Sequence, residues 1–494
     1  MFLREIACVL VLVFCGVTAH AAARDPDSIL TGTMTGADHE TYREVPFEVP
    51  AGVERLTLEF EYTGRQEKSV IDIGVRDPQR FRGWSGGNKS RIVIEEADAT
   101  PSYLPGPLPA GTWSLLLGVP NIRKASKADF TARIWFDRPG TAFPGFATQP
   151  TKAGPGWYRG DLHMHTGYSD GSCTSHQGAE VPCPVFKTLE TASTRHLDFI
   201  AVSDHNGISQ NHSLRELAAY FDDLLVMPAQ EITTFQGHAN VLGVTGFLDF
   251  QLGSPRLPTL DRLLDEVRAA HGLISINHPG VPSGEACMGC GWRADVDFSR
   301  INAIEIVNGG TLDDTGSPEG RFSSLPLWES KLDSGLRLTG IAGSDNHNGT
   351  ESGKGASTVG IPTTVVHATE LSQAAVLDAI GQGHVFVDVW GSGTARLELE
   401  AENHGKHAQM GDVLAAARGD KVDFTVRVTG VPAGATVSLV GNGVQLMPAA
   451  QRRIGTNARF SVTTDGLAHW IRADVRNPQG KMLLIGNPIY LRAQ

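Results

Sequence analysis

The sequence predicts an α/β fold, in which a (β/α) barrel is flanked on each side by a β-sandwich domain. Short apolar runs such as Phe199–Val202 and Leu273–Ile276 have the composition of buried parallel strands. Segments between them, such as 260–268, carry apolar residues three and four apart, which is typical of helices. Region 157–391 has the length of a small barrel, roughly 200 to 250 residues. Alternating strands and helices of this kind indicate a parallel sheet.

The regions on either side of the barrel have a different pattern. Alternating apolar and polar residues between Pro and Gly clusters predict an antiparallel β-sandwich over 24–138. The Gly- and Pro-rich stretch 139–156 is predicted to be a linker. The alternating pattern returns over 392–494 and predicts a second β-sandwich. These flanking domains are candidates for glycan or envelope contacts.

The amino terminus has the pattern of a cleavable signal peptide over residues 1–21. Arg4 precedes an apolar run at 6–17, and Ala19-His20-Ala21 forms an A-x-A motif. No later stretch approaches the roughly 20 apolar residues of a membrane span. The sequence therefore predicts a periplasmic or secreted protein with no transmembrane segment.

The overall charge bears on the class of partner. The 494 residues include 42 Lys and Arg against 54 Asp and Glu, a formal net charge of -12. No Lys/Arg stripe is present that could neutralise a phosphate backbone, which argues against nucleic acid as a partner. The charge therefore predicts a partner other than a long polyanion.

The cysteines fit an oxidising compartment. Of six in the chain, four remain after the signal peptide is removed, and these are Cys173, Cys183, Cys287 and Cys290. An even count predicts two disulfides with three possible connectivities, of which the nearest pairing joins 173 to 183 and 287 to 290. Zinc binding by the C-x-x-C motif at 287–290 is the alternative.

Nine His, Asp and Glu residues follow or end the apolar runs of the central region. They are His163, His165, Asp170, His205, Glu231, His238, His278, Asp345 and His347. Residues two apart in an extended segment face the same side, so the pair at 163 and 165 and the pair at 345 and 347 can each bind one ion. Because the carboxyl ends of barrel strands meet at one face, the pattern predicts a multinuclear metal site.

These motifs resemble those of a known superfamily. HxHTxxSDG, SDHN, QEIT with a following GH, NHPG and GSDNH are similar to the motifs of the polymerase and histidinol phosphatase (PHP) metallohydrolases. The segment IEIVNGG at 304–310 resembles the secreted, carbaryl hydrolase-like branch. The resemblance implies a distorted (β/α)7 TIM-like barrel that binds two or three divalent ions of zinc, manganese or iron.

The resemblance also implies how the ligands are shared. The first ion would be held by His163, His165, Glu231 and Asp345. Glu231 would bridge to a second ion held by His238 and His278. A third ion would be held by Asp170, His205 and His347, although the first family motif often has His where this chain has Asp170.

The expected activity is hydrolysis of small-molecule phosphomono- or phosphodiesters, with a metal-bridging hydroxide as nucleophile. A carbamate or carboxylic ester hydrolase and a non-catalytic surface-binding protein are the alternatives. The general acid stays open among a metal-bound water, His176 and His212. Four residues are candidates for substrate contact, with contacts behind the ligand histidines, turn formation or simple packing as their alternative roles. They are Asn206, Asn277, Asn308 and Arg293.

Overall fold

The computed structural model describes residues 24–147, 149–285, 287–349, 357–442, 444–445, 452–453 and 458–492. The described chain is mostly β, with 42% strand and 13% helix. The predicted signal peptide lies outside the described residues. No helix in the described part of the chain is both long and apolar enough to cross a membrane.

The amino-terminal region consists of two four-stranded antiparallel sheets. Its strands are β1 (Ser28–Thr35), β2 (Tyr42–Val49), β3 (Arg55–Tyr62), β4 (Val70–Arg76), β5 (Phe81–Gly86), β6 (Arg91–Glu95), β7 (Gly111–Asn121) and β8 (Lys127–Asp137). One sheet has the order β1-β8-β3-β6 and the other β2-β7-β4-β5. Alternate residues of both sheets, among them Leu58, Ile73, Trp113 and Ile134, share one hydrophobic core, as in a β-sandwich.

The central region contains eleven strands and six helices among the described residues. The strands are β9 (Gly156–Asp161), β10 (Ser172–Thr174), β11 (Glu180–Pro182), β12 (Phe199–Val202), β13 (Leu225–Thr234), β14 (Gly237–Leu242), β15 (Leu273–Ile276), β16 (Ala303–Asn308), β17 (Thr339–Gly343), β18 (Thr363–Ala368) and β19 (Val385–Asp388). The helices are α1 (Val185–Thr194), α2 (Asn211–Ala218), α3 (Leu260–Ala269), α4 (Gly309–Thr315), α5 (Leu325–Asp333) and α6 (Gln373–Gln382).

The prediction of a (β/α)7 TIM-like barrel is wrong. Strands β9, β12 and β13 are parallel, as are β15, β16 and β17, but β14 joins the two groups by antiparallel pairing on both sides. Strands β18 and β19 extend the sheet from β9, again antiparallel. The physical reason lies in the connections, because β13 and β14 form a tight hairpin with no room for a crossover helix. The result is a mixed, mostly antiparallel fold with short helices.

The central sheet continues directly into the carboxyl-terminal region. The strands there are β20 (Arg396–Asn403), β21 (Lys406–Gln409), β22 (Val413–Ala415), β23 (Lys421–Thr429), β24 (Thr436–Gly441), β25 (Val444–Gln445), β26 (Arg452–Arg453), β27 (Ala458–Thr463), β28 (His469–Arg476), β29 (Met482–Gly486) and β30 (Ile489–Arg492). Strand β19 pairs with β29, so one sixteen-stranded sheet runs through both regions. A separate sheet of order β21-β20-β23-β27 packs with it around a shared core. The sixteen-stranded sheet passes across the predicted domain boundary at 391. The predicted domain boundaries remain predictions.

Buried polar contacts fix the flanking regions to the centre. Asn487 is 1% exposed, and its amide oxygen accepts from the Gly340 backbone N–H, while its amide nitrogen donates to the carbonyls of Gly340 and Val385. At the amino-terminal side, Arg215 of α2 forms ion pairs with Glu95 and Asp98. The central strands are therefore braced from both sides.

Candidate metal centre

The ligand candidates gather at one edge of the central sheet because most of them follow the carboxyl ends of parallel strands. His163 and His165 follow β9, His205 follows β12, and His278 follows β15. Asp345 and His347 follow β17. The nine predicted residues converge at this edge, where their side chains contact one another.

The β13–β14 hairpin supplies two further candidate ligands from opposite strand directions. Glu231 lies in β13, and His238 is at the start of β14, where it pairs with Thr233. Because β14 is antiparallel, its first residues lie at the same edge as the carboxyl ends of its neighbours. A hairpin thus places two ligands at the same edge as the strand-end ligands.

The Glu231 carboxylate is the centre of the cluster and is fully buried. Five imidazoles surround it, at nitrogen–oxygen distances of 2.7 Å for His205, 3.4 Å for His163, 3.5 Å for His238, 3.6 Å for His165 and 3.6 Å for His278. Burial raises the pKa of this carboxyl, but the imidazoles, above all His163, more than offset that and hold it well below its usual range. Glu231 is therefore an ionised carboxylate that faces nitrogen ligands.

Asp345 forms a second carboxylate contact with the same imidazoles. Its Oδ1 lies 3.2 Å from His163 Nε2, 3.1 Å from His165 Nε2 and 3.8 Å from His347 Nδ1. Burial opposes ionisation, yet the neighbouring imidazoles hold the pKa of Asp345 well below its usual range. Every ion-pair partner of Asp345 in the described chain is a histidine, an arrangement that suits shared cations better than a permanent salt bridge.

Asp170 lies at the outer end of the cluster. Its carboxylate oxygens are 3.6 Å from His205 Nε2 and 3.5 Å from His347 Nε2. The side chain of Asp170 is 59% exposed and that of His347 is 39% exposed, whereas His163 and His165 are buried. The cluster thus has a buried inner end and an open outer end.

Glu305 contacts two of the candidate ligands and was not predicted from the sequence. It lies in β16, accepts a hydrogen bond from His163 Nδ1 at 3.0 Å and from the His278 backbone N–H at 2.8 Å, and contacts the Asn308 amide at 3.1 Å. The contact with Nδ1 leaves Nε2 of His163 directed at Glu231 and Asp345. Carboxylates behind ligand histidines commonly fix the ring in this way.

The donor set fits divalent metal ions. Four sets of side chains in the described residues bring ligand atoms within 4.8 Å of one another, and three of these sets consist only of predicted ligands. Nε2 of His163 and Nδ1 of His165 are buried and make no hydrogen bond. Burial lowers the pKa of His165 to about 4, so its imidazole is neutral and available as a ligand. Buried ring nitrogens without a hydrogen bond are rare unless another group satisfies them.

Two ligands also have unfavourable backbone conformations. His278 has φ of +28° and Asp345 has φ of +56°, values that a residue with a Cβ adopts at a cost of about 1–3 kcal/mol. The surrounding contacts must supply that energy, and positions of this kind cluster at functional sites.

The four predicted substrate contacts have different roles. Asn277 donates to Glu231 Oε1 at 2.8 Å, and Asn308 donates to Asp345 Oδ2 at 3.3 Å. These two amides therefore position ligand carboxylates. Asn206 exchanges two hydrogen bonds with the Thr233 backbone, and Arg293 donates to the Phe235 carbonyl. Those two fix loops in the described structure.

The two histidines considered as general acid differ in setting. His176 is exposed in the turn between β10 and β11, whereas His212 lies in α2 with its Nδ1 buried and without a hydrogen-bond partner. Neither observation selects the acid.

The four cysteines form two pairs, one joined by a disulfide and one with free thiols. Cys287 and Cys290 form a disulfide with Cα atoms 5.6 Å apart. Cys173 and Cys183 are free thiols in the structure, in contrast to the predicted second disulfide. They lie on facing segments of the β10–β11 hairpin, and burial together with the contact from Cys173 raises the pKa of the Cys183 thiol to about 12.

Comparison with known proteins adds no assignment. No protein-family model matches the sequence, and no curated protein is significantly similar to it.

Proposed function

We propose that this protein is an exported, metal-dependent hydrolase of small-molecule phosphomono- or phosphodiesters. The observation that carries the proposal is the buried Glu231 carboxylate among five imidazoles, beside a second carboxylate on Asp345. The PHP-like motifs of the sequence support the same class of chemistry.

The clustered carboxylates and imidazoles would together bind two or three ions of zinc, manganese or iron. Glu231 has one oxygen toward His163, His238 and His278 and the other toward His165 and His205, so it can serve ions on both sides. Asp345 would complete the inner position. Bound divalent ions would lower the pKa of a water molecule and neutralise charge on phosphoryl oxygens.

The open outer end supplies the route for substrate. Asp170 and His347 are exposed, while the inner ligands are sealed by packing, so a substrate approaches from the outer side. Closely spaced dications favour an anionic phosphoester over a neutral carbamate or carboxylic ester. Export is supported by the A-x-A motif and by the disulfide at 287–290, since disulfides persist in oxidising compartments.

The test couples metal analysis to an ester panel. The mature protein is assayed on p-nitrophenyl phosphate, bis(p-nitrophenyl) phosphate and naphthyl esters, before chelation, after chelation and after metal readdition. We expect two or three metal equivalents and phosphoesterase activity that follows metal content.

Other outcomes would overturn the proposal in distinct ways. Metal-dependent turnover of carbamates or carboxylic esters alone would change the bond and keep the metals. Bound metal with no turnover of any ester would indicate a binding protein. Phosphoesterase activity unaffected by complete metal removal would exclude the mechanism.

A further inference from the structure

The loop at 287–290 lies directly against two of the inner ligands. Cys290 Sγ is 3.5 Å from His278 Nδ1, and His238 Nε2 is 3.2 Å from the Met288 carbonyl oxygen. Gly289 permits this approach, because it has φ of +88° and a Cβ there would collide with the Thr234 carbonyl. The opposite nitrogens of both rings face Glu231. Each imidazole therefore has one nitrogen toward the carboxylate and one toward the cysteine loop.

The four side chains of this region form a ligand set of their own. His238, His278, Cys287 and Cys290 bring ligand atoms within 4.8 Å of one another. Two thiolates and two imidazoles are a donor set typical of four-coordinate zinc. A disulfide cannot supply those thiolates, so the set is complete only when the bond between the cysteines is reduced. The carboxylate cluster described above makes no use of either sulfur.

We propose that reduction of the Cys287–Cys290 disulfide creates a second, sulfur-containing zinc position that competes with Glu231 for His238 and His278. A neutral imidazole binds one ion through one nitrogen, so an ion held by the cysteines takes both rings from the carboxylate side. The oxidation state of the loop thus determines which of two positions binds the metal ion. This inference concerns metal binding and does not depend on hydrolysis.

The redox step is balanced by a dithiol reductant. The dithiol gives two electrons and two protons to the Cys287–Cys290 bond, which breaks to two thiols while the reductant becomes a disulfide. Metal binding then releases the two thiol protons to solvent. The loop is accessible to a dithiol, because Met288 at its tip is 76% exposed and Cys287 is half-buried.

Cobalt(II) spectroscopy on the full chain tests the proposal without an activity assay. Metal-free protein is titrated with Co²⁺ under anaerobic conditions, in the disulfide form and after dithiol reduction and reductant removal. Alkylation and mass analysis verify the state of each cysteine. We expect sulfur-to-cobalt charge-transfer absorption, equal to one site per chain, only in the reduced protein. Zn²⁺ should abolish it.

Matched variants decide whether the signal comes from this loop. The double variant Cys287→Ser/Cys290→Ser should lose the absorption, and Cys173→Ser/Cys183→Ser should keep it. Glu231→Gln should also keep it, which separates this site from the proposed hydrolase centre. Reduced protein without charge-transfer absorption, a disulfide that resists the dithiol in the native protein, or a signal that depends on residues 173 and 183 would each overturn the inference.

Discussion

The inner and outer ends of the candidate metal centre have the same residue types in opposite environments. At the inner end Glu231, His163 and His165 are buried, and carboxylates and amides behind them fix their orientation. At the outer end Asp170 and His347 are largely exposed. Burial reduces solvent competition and enforces a single geometry, so affinity should be concentrated at the inner end. We therefore expect the outer end to exchange metal and to admit substrate.

Glu231→Gln should produce the largest effect, because it removes the charge that two ions share while keeping the side-chain volume. We expect loss of the inner metal and a fall in phosphoester turnover of more than about 100-fold. A loss of about 100-fold is the upper range for removal of a residue that contacts a metal ligand without binding the metal itself. Metal analysis and steady-state kinetics on matched, folded samples measure it. If His347→Ala were far more damaging, the assignment of Glu231 as the bridge would be wrong.

Glu305→Gln tests the support behind the inner ligands. It removes the charged acceptor of His163 Nδ1 and should weaken inner metal binding by about 10–100-fold. Competition with a chelator of known affinity measures the change. Glu319→Gln, which alters a surface ion pair with Arg476, is the matched control and should bind metal as the parent does. Equal losses in both variants would contradict a specific role for Glu305.

Asp170→Asn should have a smaller effect, confined to the outer end. We expect loss of one metal equivalent, retention of the inner ions, and a decrease in turnover of about tenfold or less. The number of ions that survive dialysis is the measurement. A variant stripped of every ion would show that the two ends are one cooperative unit.

Acid stability of the chelated protein should show the smallest effect. The pKa of His165 is lowered to about 4 by burial, whereas an unfolded histidine titrates near 6.5. The unfolded state therefore binds more protons between these values, so the free energy of unfolding should fall as pH falls from 6.5 to 4. His165→Gln should reduce that slope in denaturant titrations. Parallel slopes for parent and variant would contradict a buried, neutral His165.

The candidate ligands that converge in the structure could be selected from the sequence, whereas the fold that carries them could not. Period-two spacing and apolar runs are local signals, and they identified His163, His165 and Asp345 directly. Buried strands look alike in closed barrels and open mixed sheets, so the runs did not distinguish these folds. The seven-residue interval from Glu231 to His238 did contain the missing information, since a parallel crossover needs a dozen residues or more.

The structure gives physical reasons why other features of the site were not predicted from the sequence. Glu305 interrupts the apolar strand AIEIVN, and a carboxylate buried in such a strand requires partners, which was a signal of function. An even cysteine count did not decide oxidation state, because the setting of Cys173 and Cys183 depends on tertiary contacts. The positions of Asn277 and Asn308 against the carboxylates likewise required the fold.

The hydrogen bonds of Asn487 bear on when in synthesis the protein can bind metal. Its amide joins Gly340 of β17 to Val385 of β19, and β17 leads directly into Asp345 and His347. A residue made more than a hundred positions later thus braces the strand that presents two ligands. A nascent chain that still lacks this residue lacks the hydrogen bonds that join β17 to β19 through Asn487. We expect the ions to be acquired only after synthesis is complete, from whatever pool surrounds the finished polypeptide as it folds.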